Sequence, residues 1–420
     1  MKAGSRAWVI SAAVAALLGG SGCQSNRAGS GGAAGRDAAA GGHLGAGGRG
    51  GGEAGGQVAT GSGGGGRGGD STTSLGGRGG GSGAGGQLGT GAGGAAGAGG
   101  ATCGGKYVDP TSDAKNCGIC GRDCLGGQCS GGVCLPVTLA TGQGMPVCLA
   151  INGRNIYWSN QTGGSVMKAP LDGSGPPVAV ADGQDEPFGI AVDYESVYWI
   201  NGGYSPAVMK APLDGGAPVT LTTGTAGRSL YRAIAVDPGN VYFSDDAAGI
   251  NSVPIDGGAA VSVATSRPNG TCHIAIGSSR TLYWVAYPGQ NTVESVSVGG
   301  TVRTLYAMPS SIGDTWGIAT GGSRRVFWTE ITTGSLRSMP LDGGAVLTLA
   351  TGVGTAYGVA LDEARVYWSA ATSIKSLPNV GGDSAVTHAT GLAGAFDVAV
   401  DSTAIYWVDW AGGKVMKVAK

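Results

Sequence analysis

The chain has 420 residues, 88 of them glycine, and carries 26 basic against 27 acidic residues for a formal net charge of -1. Charged residues make up only 13% of it, so no basic field exists to hold a phosphate backbone and no nucleic acid is expected as a partner. The glycine is concentrated: from Gly29 to Gly100, 36 of 72 residues are glycine and none is aromatic.

Residues 1–22 carry Lys2 and Arg6, an apolar run over 7–18, and then Gly20-Ser21-Gly22 before Cys23. About 12 apolar residues are too few to cross a bilayer, so the segment predicts an export signal rather than a membrane span. The small residues before Cys23 resemble the lipobox of bacterial lipoproteins, which implies a diacylated Cys23 as the mature N-terminus; ordinary signal cleavage is the other reading. Gln24, by the same resemblance to proteobacterial lipoproteins, points to the outer membrane. The expected location is therefore an outer membrane lipoprotein or the cell surface, with membrane contact through a lipid anchor only.

Residues 23–101 form a Gly-rich segment that cannot bury enough apolar surface to offset its ordering entropy, and no strict G-X-Y period makes it collagen. It reads as a disordered linker. Residues 102–134 follow as a cysteine-rich module with Cys103, Cys117, Cys120, Cys124, Cys129 and Cys134. In an exported chain, six cysteines with few aliphatic residues between them predict disulfides, in one of 15 pairings that spacing does not choose among. A zinc site on Cys117-x-x-Cys120 is the rival, weakened by the lack of a nearby histidine. The run Asp113-Ala-Lys-Asn-Cys-Gly-Ile-Cys-Gly-Arg-Asp-Cys124 resembles the modules of stigma-specific-type proteins and of Gly-rich bacterial lipoproteins, a likeness that implies no chemistry.

From residue 135 to 420 the sequence repeats itself. The unit reads G-I-A-V-D, V-Y-W, V-M-K-A-P-L-D-G-G and P-V-T-L-x-T-G, and its anchor aliphatics are Leu149, Ile190, Ile234, Ile274, Ile318, Val359 and Val398. A period near 40 with four short strand-like runs per unit predicts propeller blades. Adjacent aromatics such as Tyr157-Trp158 and Tyr198-Trp199 point to opposite sheet faces, as a blade buried between two neighbours requires. The last unit stops after its third strand, and the missing outer strand stands at the other end, where Pro136-Val-Thr-Leu-Ala-Thr-Gly142 matches Pro218-Val-Thr-Leu-Thr-Thr-Gly224. The expected fold is thus all-β: a seven-bladed β-propeller closed by an N-terminal outer strand, preceded by the disordered Gly-rich linker and the small disulfide-rich module.

The G-I-A-V-D, Y-W-S-N or Y-W-V-D, and L-D-G-G pattern resembles the YWTD (class B) repeats of the low-density lipoprotein receptor family. That family has six blades where seven units are present here. The position that ends the aromatic strand is Asp245 and Asp409 in two units, Asn160 and Asn201 in two, and Ala286 and Ala370 in two more. The resemblance therefore covers the blade pattern and does not carry over receptor-type ligand recognition.

Chemistry is sparse. There is no G-x-S-x-G elbow after Leu135, His43 lies in the linker, His388 in an outer strand, and His273 alone opens an inner strand. The recurring Asp193, Asp237, Asp362 and Asp401 read as structural turn residues. No catalytic residue, metal or cofactor is expected. The units differ just before each anchor aliphatic, where Phe188, Arg232, His273, Trp316, Tyr357, Phe396 and Asp397 should ring one mouth of the channel. That mixture suits either a ligand face, since aromatics and Arg dominate recognition, or a plug between blades. Cys148 and Cys272 open inner strands three blades apart, too far for a bridge within about 7 Å, and are expected to be unpaired thiols. The expected function is a non-catalytic binding or scaffold module for a protein or glycan ligand, with a monomeric propeller. A metal-dependent lyase or lactonase and a self-associating surface-layer component are the alternatives.

Overall fold

The computed structural model describes residues 100–420 apart from 225–231, 246–248, 267, 269–271, 287–291, 310–314, 322–323 and 383. The signal segment, Cys23, His43 and nearly all of the linker lie outside the described residues. The described part belongs to a single compact unit.

Seven four-stranded antiparallel sheets follow one another, six of them simple meanders. Blade 1 consists of Pro146–Ile151, Asn155–Asn160, Ser165–Pro170 and Val178–Ala181. Blade 7 takes Ala395–Val400, Ala404–Asp409 and Lys414–Ala419 from the end of the repeats, and its outer strand is Val137–Ala140. Val137 pairs with Lys417 and Ala140 with Val415, antiparallel. The chain is a seven-bladed β-propeller closed by an N-terminal strand, and closure leaves no blade edge between first and last units to recruit another strand.

Burial explains the aromatic pairs. Trp158, Trp199, Trp284, Trp328, Trp368 and Trp407 are all fully buried, as are Tyr157, Tyr198, Tyr242 and Tyr367. Trp158 packs back against Tyr406 and Val408 of blade 7, whereas Tyr157 packs forward against Ile190 and Trp199 of blade 2. Each such ring removes about 150–250 Å² from water, roughly 4–6 kcal/mol of transfer free energy.

The polar residues of the repeat serve the same architecture. The turn aspartates accept backbone N–H groups two and three residues on and the hydroxyl of the following tyrosine: Tyr198 to Asp193 at 2.8 Å, Tyr242 to Asp237 at 2.8 Å, Tyr367 to Asp362 at 2.7 Å and Tyr406 to Asp401 at 2.9 Å. A buried phenol thus finds its acceptor inside its own blade. The lysine of V-M-K-A-P leaves its blade and latches onto the next one. Lys168 donates to the Leu213 carbonyl, Lys210 to Ile255 at 3.0 Å, and the buried Lys417 to Leu171 and Asp172, both at 2.9 Å. Lys417 therefore fastens blade 7 to blade 1.

In blades 2 and 5 the position ending the aromatic strand accepts the indole N–H, and in blade 1 a glutamine outside the strand does so. Trp199 donates to Asn201 and Gln184, Trp328 to Glu330, and Trp158 to Gln143, which also receives the Asn160 amide. The indoles of Trp284 and Trp368, where the residue is Ala286 or Ala370, and that of Trp407, where it is Asp409, have no hydrogen-bond acceptor among the described residues.

In the cysteine-rich segment the bridges are Cys103–Cys120, Cys117–Cys129 and Cys124–Cys134. The segment packs against the propeller. Cys117, Cys124 and Cys134 share a core cluster with Tyr367, Ile374 and Trp407 of blades 6 and 7. Arg122 Nε donates to the Lys420 backbone oxygen at 3.0 Å, and Lys420 Nζ pairs with Asp362 at 2.7 Å.

Candidate functional site

Inner strands all run in one direction, so their first residues gather at one end of the channel. In blades 1, 2, 5, 6 and 7 a register shift precedes the anchor aliphatic, as between Pro187 and Ile190. These bulges bend the strand starts toward the axis. Small residues permit the approach: a Cβ at Gly189 would stand 2.1 Å from the Arg232 carbonyl oxygen, and one at Gly317 2.6 Å from that of Tyr357. In blades 5 and 6 a hydroxyl after the tryptophan steadies the bulge: Gly317 N–H donates to Thr329 Oγ1 at 3.0 Å, and Gly358 N–H to Ser369 Oγ at 2.8 Å, with Ser369 in turn donating to the Phe396 carbonyl at 2.6 Å.

The residues singled out in the sequence do converge at this mouth. Phe396 stacks on Tyr357 with ring centroids 5.1 Å apart and meets Trp316 and Phe188 edge-on at 5.8 and 6.3 Å. The Arg232 guanidinium lies 5.2 Å from the Phe188 centroid. Phe188, Arg232, Trp316, Tyr357 and Asp397 are buried, while Phe396 and His273 stay half-exposed. Only a void of about 20 Å³ remains among them.

Across the mouth, His273 Nε2 of blade 4 lies 2.9 Å from Asp397 Oδ2 of blade 7. Asp397 also accepts the Leu149 N–H on Oδ2 and the Val398 N–H on Oδ1, both at 2.9 Å. Burial disfavours the imidazolium, but the Asp397 charge and hydrogen bond outweigh it and hold the His273 pKa above its ordinary value.

Cys148 and Cys272 form a disulfide with Cα atoms 5.7 Å apart, so the expectation of two unpaired thiols is wrong. The blade count and the alignment both stand; the assumed width of the mouth does not. Blade 4 has an inner strand of only two residues, Ala275–Ile276, and ahead of it His273 bridges in parallel to Ile234 of blade 3 instead of pairing within its own sheet. There the Cys272 carbonyl accepts from Ile234 N–H at 3.2 Å, and Cys272 Sγ reaches Cys148.

Below the plug the channel is a cavity of about 390 Å³ lined by aliphatic side chains such as Ile151, Val192, Val236, Leu361 and Val400. Two clusters of described His, Cys, Asp or Glu side chains are tight enough for a metal, Cys117/Cys124/Cys134 and Cys148/Cys272/Asp397. Their cysteines are all in disulfides and offer no thiolate. A further cavity of about 640 Å³ opens at the opposite end of the ring, between blades 4 and 5. Its serines, threonines and arginines carry no motif, and only their departure from the repeat marks them in the sequence.

No protein-family model matches this chain, and no curated protein matches it in sequence. Among solved structures, virginiamycin B lyase from Staphylococcus aureus superposes with a TM-score of 0.58 at 13% identity over 68% of this chain and 98% of the lyase. A catalytically inactive form of that lyase with quinupristin gives 0.58 at 12% identity over the same shares. Kuenenia stuttgartiensis hydrazine synthase gives 0.54 at 15% identity over 67% and 97%, and YCF48 bound to D1 peptide 0.53 at 10% over 68% and 94%. At such identities the likeness is one of fold, which occurs in chains described as enzymes and in one described with a bound peptide.

Proposed function

We propose that the protein is an exported, lipid-anchored propeller that acts as a non-catalytic binding or scaffold module at the cell envelope, built from YWTD-type blades. The observation that carries the reading is the use made of Asp397. Its carboxylate is engaged by two backbone N–H groups and by His273, the role of a tie across the ring rather than of a poised acid or base. The repeating aspartates and lysines are likewise engaged within and between blades, which leaves the variable aromatic mouth as the surface that distinguishes this propeller. A protein or glycan ligand would rest on the half-exposed Phe396 and His273, over the buried Trp316 and Tyr357.

One observation favours a second reading. A histidine beside a carboxylate at the channel mouth, on a fold shared with virginiamycin B lyase, suits a lyase or lactonase, with a divalent metal held at the channel. Elemental analysis of the purified chain separates the two: a stoichiometric divalent ion lost on replacing His273 overturns the binding reading. Capture of envelope glycans or proteins that is abolished by Trp316→Ala without a fall in melting temperature supports it. Capture unchanged by Trp316→Ala, with a lower melting temperature, makes the mouth a packing plug.

A further inference from the structure

The seam between blades 4 and 5 lacks the filling that the repeat supplies elsewhere. The third-strand residue paired with the strand-two aromatic is Lys168, Lys210 and Lys417 in blades 1, 2 and 7, and each reaches the next blade. In blades 5 and 6 it is Ser338 and Ser376, each bonded by an arginine, Arg325 at 3.1 Å and Arg365 at 3.0 Å. At the seam of blades 3 and 4, Arg280 closes onto Asp237 at 2.6 Å and onto the Tyr242 hydroxyl at 3.1 Å. Blade 4 has neither device: Ser295 stands at the lysine position, Thr281 at the arginine position and Ser297 at the proline position.

The turn aspartate is lost in the same blade. Gly277 takes its place, and a Cβ there would lie 2.8 Å from Tyr283 Cε2, so the ring occupies the room that an aspartate would need. The result is the cavity of about 640 Å³, within the roughly 300–1,000 Å³ of small-molecule sites. Hydroxyls of Ser295, Ser297 and Thr301 line it, Arg303 and Arg324 flank it, and Pro340 and Leu341 form an apolar wall. Asp342 is the one acidic residue in the lining, leaving an excess of one positive charge.

We propose that this seam binds an acidic saccharide, a sugar residue that carries a carboxylate. Serine and threonine hydroxyls both donate and accept, as sugar hydroxyls require, and a guanidinium matches a carboxylate with two parallel bonds. The Pro340 and Leu341 wall suits the apolar face of a sugar ring. The antiparallel meander places this seam at the end of the ring opposite the channel mouth, so the inference does not depend on what the mouth does.

The test is calorimetric titration of the full chain with trigalacturonate, its methyl ester and sodium sulfate. Trigalacturonate should bind at least tenfold more tightly than the neutral ester or sulfate. Arg324→Met should weaken it at least tenfold. Ser295→Lys, which restores the inter-blade latch toward the Leu341 carbonyl, should do the same while melting no lower than the parent. If Ser295→Lys does not fold, the exposed Arg303→Met replaces it, with the same tenfold loss expected. Absence of binding, equal binding of the ester or of sulfate, or unchanged affinity in the seam variants overturns the proposal.

Discussion

Cys148 and Cys272 are 124 residues apart in sequence and joined by a disulfide across the channel mouth. This bridge ties blade 1 covalently to blade 4. Loop-closure entropy for that separation is worth about 4–5 kcal/mol in the chain-entropy description, with engineered and native cases commonly falling lower. Cys148→Ser with Cys272→Ser should lower the urea midpoint by the equivalent of about 2–4 kcal/mol. An unchanged midpoint would show that the strand closure of blade 7 carries the ring alone.

Lys417 should be the most sensitive of the latch lysines, because it is buried and its two carbonyl partners join the last blade to the first. Lys417→Met keeps most of the stem volume and leaves the Leu171 and Asp172 oxygens without their donor. A loss of about 2–3 kcal/mol is expected, against about 1 kcal/mol for the more exposed Lys210→Met. Paired chemical denaturation of the two variants checks the order.

His388 lies beneath the cysteine-rich segment, with Nε2 2.8 Å from Ser376 Oγ. Burial and the nearby Arg365, Arg122 and Lys420 charges push its pKa down to about 4 from 6.5. The unfolded chain therefore takes up the proton first as the pH falls, and stability drops between about pH 6.5 and pH 4. The full shift would correspond to about 3 kcal/mol; partial solvent screening brings the expected loss nearer 1–2 kcal/mol. His388→Gln should flatten the melting profile in this window, and a profile that stays as steep would place the acid sensitivity elsewhere.

Ala370 occupies the position at which Asn201 receives the Trp199 indole at 3.1 Å. Since the Trp368 indole has no acceptor among the described residues, Ala370→Asn should raise stability by about 0.5–1 kcal/mol. A rise of roughly one to three degrees in the melting temperature is the expected readout. A fall would mean that the amide does not fit beside Ala371, whose backbone is at φ +21°.

The aromatic pairs, the turn aspartates and the displaced strand Val137–Ala140 were all legible because each recurs at a fixed period. Six of the blades are local meanders, and a contact repeated from blade to blade leaves a repeated mark in the sequence. Convergence of Phe188, Trp316, Tyr357 and Phe396 was legible for the same reason, since all precede an anchor aliphatic. Their burial was not, because it depends on how far the bulged strand starts bend toward the axis.

Sequence by itself determined the blade number, the closure and which residues meet at the mouth, because those follow from a period and its phase. Only the tertiary structure decided that Cys148 reaches Cys272, that Asp397 ties His273 to Leu149, how the six clustered cysteines pair, and that the blade 4 and 5 seam stands open. Apart from the cysteine pairing, which is set within its own short segment, each of these depends on a distance across or between blades, such as the seam left open by a missing lysine. Such distances arise from three-dimensional packing between segments far apart in the chain, where no repeat exists to announce them.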